Sequence, residues 1–177
     1  MLNINSIQKI NTKFHQSFSE VGKSGLVLLS TLTVGHLVVH WYMNLLSLSL
    51  PFIHEDLNLS EFQLSLLTTV QIGVASCLFI VSGFLADSFH QRRSMIVASA
   101  VISFGIAFFL IGISSSYFLT LFAVGMVGLG VGLWHPVAMG ALSLHFPNRR
   151  GMALAVHGVG ASVGDAIGPI IVGGIIL

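Results

Sequence analysis

Asp165 stands inside a stretch that otherwise reads as hydrocarbon. It lies about 21 Å along a helix from Gly151, at 1.5 Å rise per residue. An ionised carboxylate at that depth costs at least ~2.5 kcal/mol to insert. It must therefore face a cavity or a partner, and it suits a site that takes and releases protons. Histidine is the second unusual feature, with 8 in the chain. His36 and His40 are one turn apart on one helical face. By the same rise they lie about 16 and 22 Å deep, near Asp165. His135 sits in Trp134-His-Pro136, and His157 lies two turns before Asp165 on a similar face. Imidazole, with an unperturbed pKa of about 6.5, carries protons or holds anions when charged. Asn44, Trp41 and Tyr42 add polar handles after His40, and Gln71 is a further polar residue in an apolar run. The plainer alternative for each is a hydrogen bond between packed helices.

The elements that must position these groups are membrane spans. Only 7% of the 177 residues are charged, against roughly 25% in soluble domains. Mean hydropathy is +0.93. Such a chain cannot cover its surface with polar groups, so lipid is its solvent. Five stretches reach the roughly 20 apolar residues that a crossing needs: residues 25–53, 62–84, 94–113, 117–144 and 151–177. The expected fold is all-α with five transmembrane helices. The first span exceeds the apolar core of a signal peptide, about 7–15 residues, and no small-residue cleavage site ends it. The single cysteine, Cys77, excludes an internal disulfide, and a net charge of +1 gives no reason to invoke nucleic acid.

Basic residues set the expected orientation. Lys9, Lys13, Lys23, Arg92, Arg93, Arg149 and Arg150 all fall on one side, which should be cytoplasmic; Glu55, Asp56 and Glu61 fall on the other. Residues 1–24 carry Ile4, Ile7, Ile10, Phe14, Phe18 and Val21 at helical spacing. That face predicts an amphipathic lead-in lying on the inner membrane surface. The alternative is a disordered polar lead-in. Tyr117 falls at the outer boundary of the fourth span, where an aromatic belt is expected.

Two connections carry motifs. Between spans 2 and 3 runs Gly83-Phe-Leu-Ala-Asp-Ser-Phe-His-Gln-Arg-Arg93. Gly83 would let the chain turn at the end of a helix. Asp87 would sit at a helix N-terminus, where the macrodipole favours an anion, and Arg92 and Arg93 would hold the loop at an anionic leaflet. The second motif is Phe146-Pro-Asn-Arg-Arg-Gly-Met-Ala153, followed by Gly160, Gly164, Gly168 and Pro169. Glycines four apart let a neighbouring helix approach closely, and Pro169 can kink its helix. Gly125, Gly128, Gly130 and Gly132 do similar work in span 4. Gly128-Leu-Gly-Val-Gly132 lies inside a span and is not a phosphate loop.

The Gly83–Arg93 stretch resembles the loop between helices 2 and 3 of the major facilitator superfamily. That pattern reads Gly-x-Leu-Ala-Asp-Arg/Lys-x-Gly-Arg/Lys-Arg/Lys. Gly83, Leu85, Ala86, Asp87 and Arg92 match it; Ser88, His90 and Gln91 depart. The glycine-rich fifth span is similar to the family's fifth helix. Antiporter members carry Gly-Pro-x-x-Gly-Gly there, and Gly168-Pro-Ile-Ile-Val-Gly-Gly174 is one residue longer. Many members also place an arginine in helix 4, where this chain has Val124 and Met126. Trp134-His-Pro136, Arg149-Arg-Gly151 and Gly164-Asp-x-x-Gly-Pro169 together look like the fosmidomycin-resistance-type branch.

The resemblance implies most of the first six-helix half of a secondary transporter, with no enzyme activity and no cofactor. It implies a multi-pass protein of a bacterial inner membrane that moves a small solute or drug, with an anion and outward movement as first choices, coupled to protons by alternating access. Uptake of an organic acid is the near competitor. Asp87 would latch the first half to the second. His36, His40, Asn44, His135, His157 and Asp165 would line the proton and substrate cavity, with the missing half in the same or another chain. Two alternatives come from other classes. One is a half-protein that pairs with or regulates another chain. The other is a haem or metal protein using His36-x-x-x-His40 with His135 and His157. Counting along straight helices places His135 nearer the inner face than His40, and no cysteine or acid cluster joins them, so no metal is expected.

Overall fold

The computed structural model describes residue 8 and residues 21–176. The expected lead-in over residues 1–24 falls almost wholly outside the described residues. Helix α1 spans Lys23–Asp56, α2 Glu61–Ser88, α3 Arg93–Gly112, α4 Tyr117–His145 and α5 Arg150–Ile176, with a 3-10 turn at His90–Arg92 between α2 and α3. Among the described residues all five helices are long and apolar enough to cross a membrane. The helices alternate in direction. Lys23, Arg92, Arg93, Arg149 and Arg150 therefore gather at one end of the bundle, and Glu55, Asp56 and Glu61 at the other.

Local chemistry sets the helix ends. Ser60 and Gln63 form a reciprocal capping box at the start of α2: the Gln63 N–H donates to Ser60 Oγ at 3.3 Å, and the Ser60 N–H donates to Gln63 Oε1 at 2.9 Å. Each bond satisfies a backbone donor that the first helical turn leaves orphaned. Ser116 caps α4 through the Leu119 N–H. Between α1 and α2 the chain reverses at Asn58, at φ 47°. Asparagine is the non-glycine residue that best tolerates that left-handed conformation.

Gly83 does not turn the chain. It lies inside α2, which runs on to Ser88. A backbone surrounded by lipid satisfies its polar groups by staying helical, so the helix outlasts the apolar stretch by a turn. Asp87 consequently sits in the last turn of α2, at the negative end of its dipole, and not at a helix N-terminus. Arg93 offsets that placement: its Nε–H donates to the Ala86 carbonyl at 3.0 Å, and its Nη2 lies 3.9 Å from Asp87 Oδ1.

Two sets of glycine contacts assemble the bundle. α5 lies against α1 along Gly160, Gly164 and Gly168. A Cβ at Gly160 would collide with the Thr33 carbonyl; one at Gly164 would meet the Leu37 carbonyl at 2.5 Å, and one at Gly168 the Asn44 Cβ at 3.1 Å. α4 lies against both α2 and α3. Gly128 abuts the Gln71 carbonyl, Gly132 faces Ala75 and Leu78, and Gly130 faces Ser103 and Phe104. One large-into-small contact joins the two groups: the Trp134 indole of α4 fills the space a side chain on Gly35 of α1 would take. Tyr42 of α1 stacks on Phe104 of α3, with centroids 5.2 Å apart. Outside these seams the bundle shows Ile80, Phe62, Phe84, Phe118 and Ile170 to its surroundings, as a lipid-facing surface must.

Proline places a further tie. Pro136 has no N–H to give the Gly132 carbonyl one turn earlier. The buried hydroxyl of Ser82, from α2, donates to that carbonyl at 2.7 Å. The bond replaces what the proline removed.

The glycine seam predicts a contrast within one helix. Gly160→Leu should destabilise the bundle by about 1–3 kcal/mol or more, because the obstacle is backbone. Gly158→Leu, at a position with open space around it, should change stability by less than about 1 kcal/mol. Unfolding in detergent, followed by circular dichroism, measures both; equal stability of the two variants contradicts the seam.

Candidate functional site

The α1–α5 seam fixes the site. With glycines on α5, the backbones come close enough for α1 to present His36, His40 and Asn44 directly to α5. Asp165 Oδ1 accepts from Asn44 Nδ2 at 2.8 Å and from His40 Nδ1 at 3.0 Å. Asn44 also donates to the His40 carbonyl. The Asp165 side chain is nevertheless 55% exposed, and that of His40 is 21% exposed. This carboxylate opens on an uncovered face of the bundle. Pro169 stands one turn after Asp165 and leaves the Asp165 backbone carbonyl without its intrahelical donor.

Behind that pair lies a group of imidazoles. His36 and His157 are buried. Their rings stack at 4.0 Å, 11° from parallel. His36 lies edge-on to His40, at 4.7 Å, and to His135, at 5.1 Å; His40 and His135 are 5.9 Å apart. Phe79 of α2 closes the far side, 5.9 Å from His135. His157 makes no well-aligned hydrogen bond through its ring among the described residues, where the Leu32 backbone is its neighbouring polar group. Its ring acts as a flat wall behind His36.

Hydrogen bonding assigns the tautomers. A carbonyl oxygen only accepts, so a ring nitrogen facing one carries the proton. His36 Nδ1 donates to the His157 carbonyl at 2.9 Å, and His135 Nδ1 donates to the Val131 carbonyl at 3.0 Å. In the neutral rings, Nε2 is then a lone pair on both. Those two Nε2 atoms face each other at 3.3 Å. Two lone pairs at that distance repel. A single proton held between them, or another cation, turns the repulsion into a bond.

All six residues singled out in the sequence as cavity-lining thus come together. Asp165, His40 and Asn44 form one linked set; His36, His135 and His157 form a second that touches it. His135, expected nearer the inner face than His40, lies closer to His36 than to His40, and its ring reaches both. Gly160, Gly164, Gly168 and Pro169 lie on the same seam and shape it. Gly83, Asp87, Arg92 and Arg93 lie apart, at the basic end of the bundle, where the Asp87 side chain is 86% exposed. Trp41 and Tyr42 leave the histidines and, with Val38, Leu45, Ile171 and Val172, line an apolar cleft of about 220 Å³. Sequence reasoning missed Ser82. Its signal was Pro136, which strips a donor from one carbonyl and so calls for a hydroxyl from a neighbour.

Comparison with known proteins follows the same lines. The chain is 23% identical over 144 residues to the fosmidomycin resistance protein of Escherichia coli (strain K12), covering 81% of this chain and 35% of that one. It is 29% identical over 128 residues to the "Probable sulfoacetate transporter SauU" of Cupriavidus necator, covering 72% and 29%. It is 27% identical over 132 residues to the puromycin resistance protein pur8 of Streptomyces alboniger, covering 73% and 26%. The chain thus spans between about a quarter and a third of the length of these relatives. No solved structure matches it. Residues 32–177 match the sequence profile of the Major Facilitator Superfamily. Five bundled spans and this match lead to one conclusion: the chain is a multi-pass integral membrane protein and belongs to the major facilitator superfamily.

Proposed function

We propose that this chain forms most of the first half of a proton-coupled secondary transporter, in which the Asp165–His40–Asn44 set and the His36–His135 pair exchange protons as a small solute crosses by alternating access. One observation carries the reading. A carboxylate in the middle of an apolar helix is 55% exposed yet bonded to two groups of α1. Lipid is a poor neighbour for that group. A water-lined cavity between two transporter halves is a good one, and the uncovered face of α1 and α5 supplies one wall of it. The second half would come from the same or another chain.

The proton path has a simple form. A proton arriving at Asp165 removes the charge that strengthens its bond from His40 and so loosens that ring. The shared proton of His36 and His135 is one ring away. A solute that needs the cationic form of these imidazoles is an anion, and the names of two relatives point to small resistance compounds or an organosulfonate. Efflux is the preferred direction. Asp87, exposed beside Arg93, would latch onto the second half in one state of the cycle. The gathering of Lys23 and the four arginines of the loops supports a cytoplasmic side for that end and for the N-terminus, in a bacterial inner membrane, by the positive-inside rule.

Two outcomes test this reading. In inner-membrane vesicles carrying the native protein, addition of fosmidomycin or sulfoacetate should dissipate an imposed pH gradient. Asp165→Asn keeps both hydrogen-bond partners in reach but cannot carry the charge, and should reduce that solute-driven proton flux at least ~10-fold while solute binding persists. Unchanged proton flux in the variant removes Asp165 from coupling. For orientation, an impermeant maleimide applied outside intact cells should label Asn58→Cys and spare Ser88→Cys, both in a Cys77→Ser background. The opposite pattern reverses the topology.

A further inference from the structure

We infer that His36, His40 and His135 form a binding site for a divalent transition-metal ion of the zinc class. The sequence argued against this on depth, and the fold brings the three rings together. One ring nitrogen from each lies within 4.8 Å of the others.

The geometry of the His36–His135 pair fits an ion. Nitrogens bound about 2.0–2.1 Å from a tetrahedral zinc stand about 3.3 Å apart. His36 Nε2 and His135 Nε2 stand 3.3 Å apart. The two edges to His40, each 4.8 Å or less, need a side-chain adjustment of about 1.5 Å or less, which imidazole makes by small χ rotations. His40 is on the exposed side of the group and has the freedom to do so.

The outer partners fit as well. A metal-bound histidine ordinarily gives its other N–H to a carbonyl or a carboxylate, which fixes the ring and raises its basicity. All three rings already do this through Nδ1. His36 donates to the His157 carbonyl, His135 to the Val131 carbonyl and His40 to Asp165 Oδ1. Asp165 is held in turn by Asn44. Each Nε2 is thereby left as the donor atom, on three different surroundings that each supply one acceptor. The donor set is imidazole alone, which suits zinc, nickel or copper and disfavours magnesium and calcium. Three protein ligands leave a fourth position, open toward the uncovered face, for water. The stacked ring of His157 backs His36 and limits its rotation.

The inference shares its residues with the transport reading but not its test, since equilibrium binding needs no transport. The protein, purified without a polyhistidine tag, reconstituted in nanodiscs and stripped with EDTA, would be titrated with ZnCl2 by calorimetry and with CoCl2 by visible absorption. One zinc per chain should bind, and Co2+ should show the intense d–d bands of a tetrahedral site that Zn2+ then abolishes. His36→Asn, His40→Asn and His135→Asn should each weaken zinc at least ~10-fold, and Asp165→Asn, acting through His40, should do so by ~10–100-fold. His54→Asn, at the far end of α1, should leave it unchanged. Circular dichroism separates loss of ligand from loss of fold. Absence of saturable zinc binding by the native protein overturns the inference, as does equal affinity in a helical His36→Asn variant. Zinc binding by a protein that moves no solute leaves it standing; coupled flux by a protein that binds no zinc removes it and spares the transport reading.

Discussion

Where α5 crosses α1, three successive turns of α5 put no side chain of their own between the two helices. Gly160, Gly164 and Gly168 make that possible, and the rest of the site depends on it. Hydrocarbon offers no water to a polar group, so a buried donor or acceptor must find its partner on a neighbouring helix. A short side chain such as Asp165 reaches His40 and Asn44 only if the helix axes are close. A bulkier residue at Gly164 would push against the Leu37 carbonyl and the His40 Cβ. It would separate the very groups that now bond. The packing motif and the chemical motif of α5 are therefore one device, read on two faces of the same turn.

The same accounting explains α4. Proline and a glycine-rich run would ordinarily weaken a helix. Here Gly128 and Gly132 let α2 approach, and that approach brings Ser82 to the carbonyl that Pro136 leaves open. His135, next to the proline, bonds back to Val131 and so aims its other nitrogen at His36. The irregular part of α4 is thus tied on both sides: to α2 by a hydroxyl, and to α1 by an imidazole and the Trp134 indole.

Much of this was legible in the sequence, because the membrane allows few solutions. Five apolar stretches had to be helices, and the one-sided distribution of arginines followed from their alternation. Asp165 and His40 announced themselves by being costly where they stand. What failed was local. Gly83 was expected to end a helix because hydropathy falls there; lipid holds the backbone helical past the last apolar residue, and Asp87 moved with it to the wrong end for an N-terminal anion. The contact of His135 with both His36 and His40 was not legible in residue counts, because the reach of a side chain between crossing helices is not set by depth alone. Ser82 was passed over because a serine in a membrane helix ordinarily bonds to its own backbone, as Ser47 and Ser49 do.

In their most apolar 18-residue windows the site's two principal helices have the lowest mean hydropathies of the five, 1.5 for α1 and 1.4 for α5. The bonds that satisfy them join residues 121 and 125 positions apart. At a synthesis rate of about 5–20 residues per second, roughly 6–25 s pass between the two ends of such a bond leaving the ribosome. Throughout that interval His36, His40 and Asn44 are in the bilayer without Asp165. The chemistry that defines the finished protein is thus its main burden during biogenesis. α1 enters the membrane with three polar side chains awaiting their partners and becomes a settled helix only when the last described span arrives to claim it.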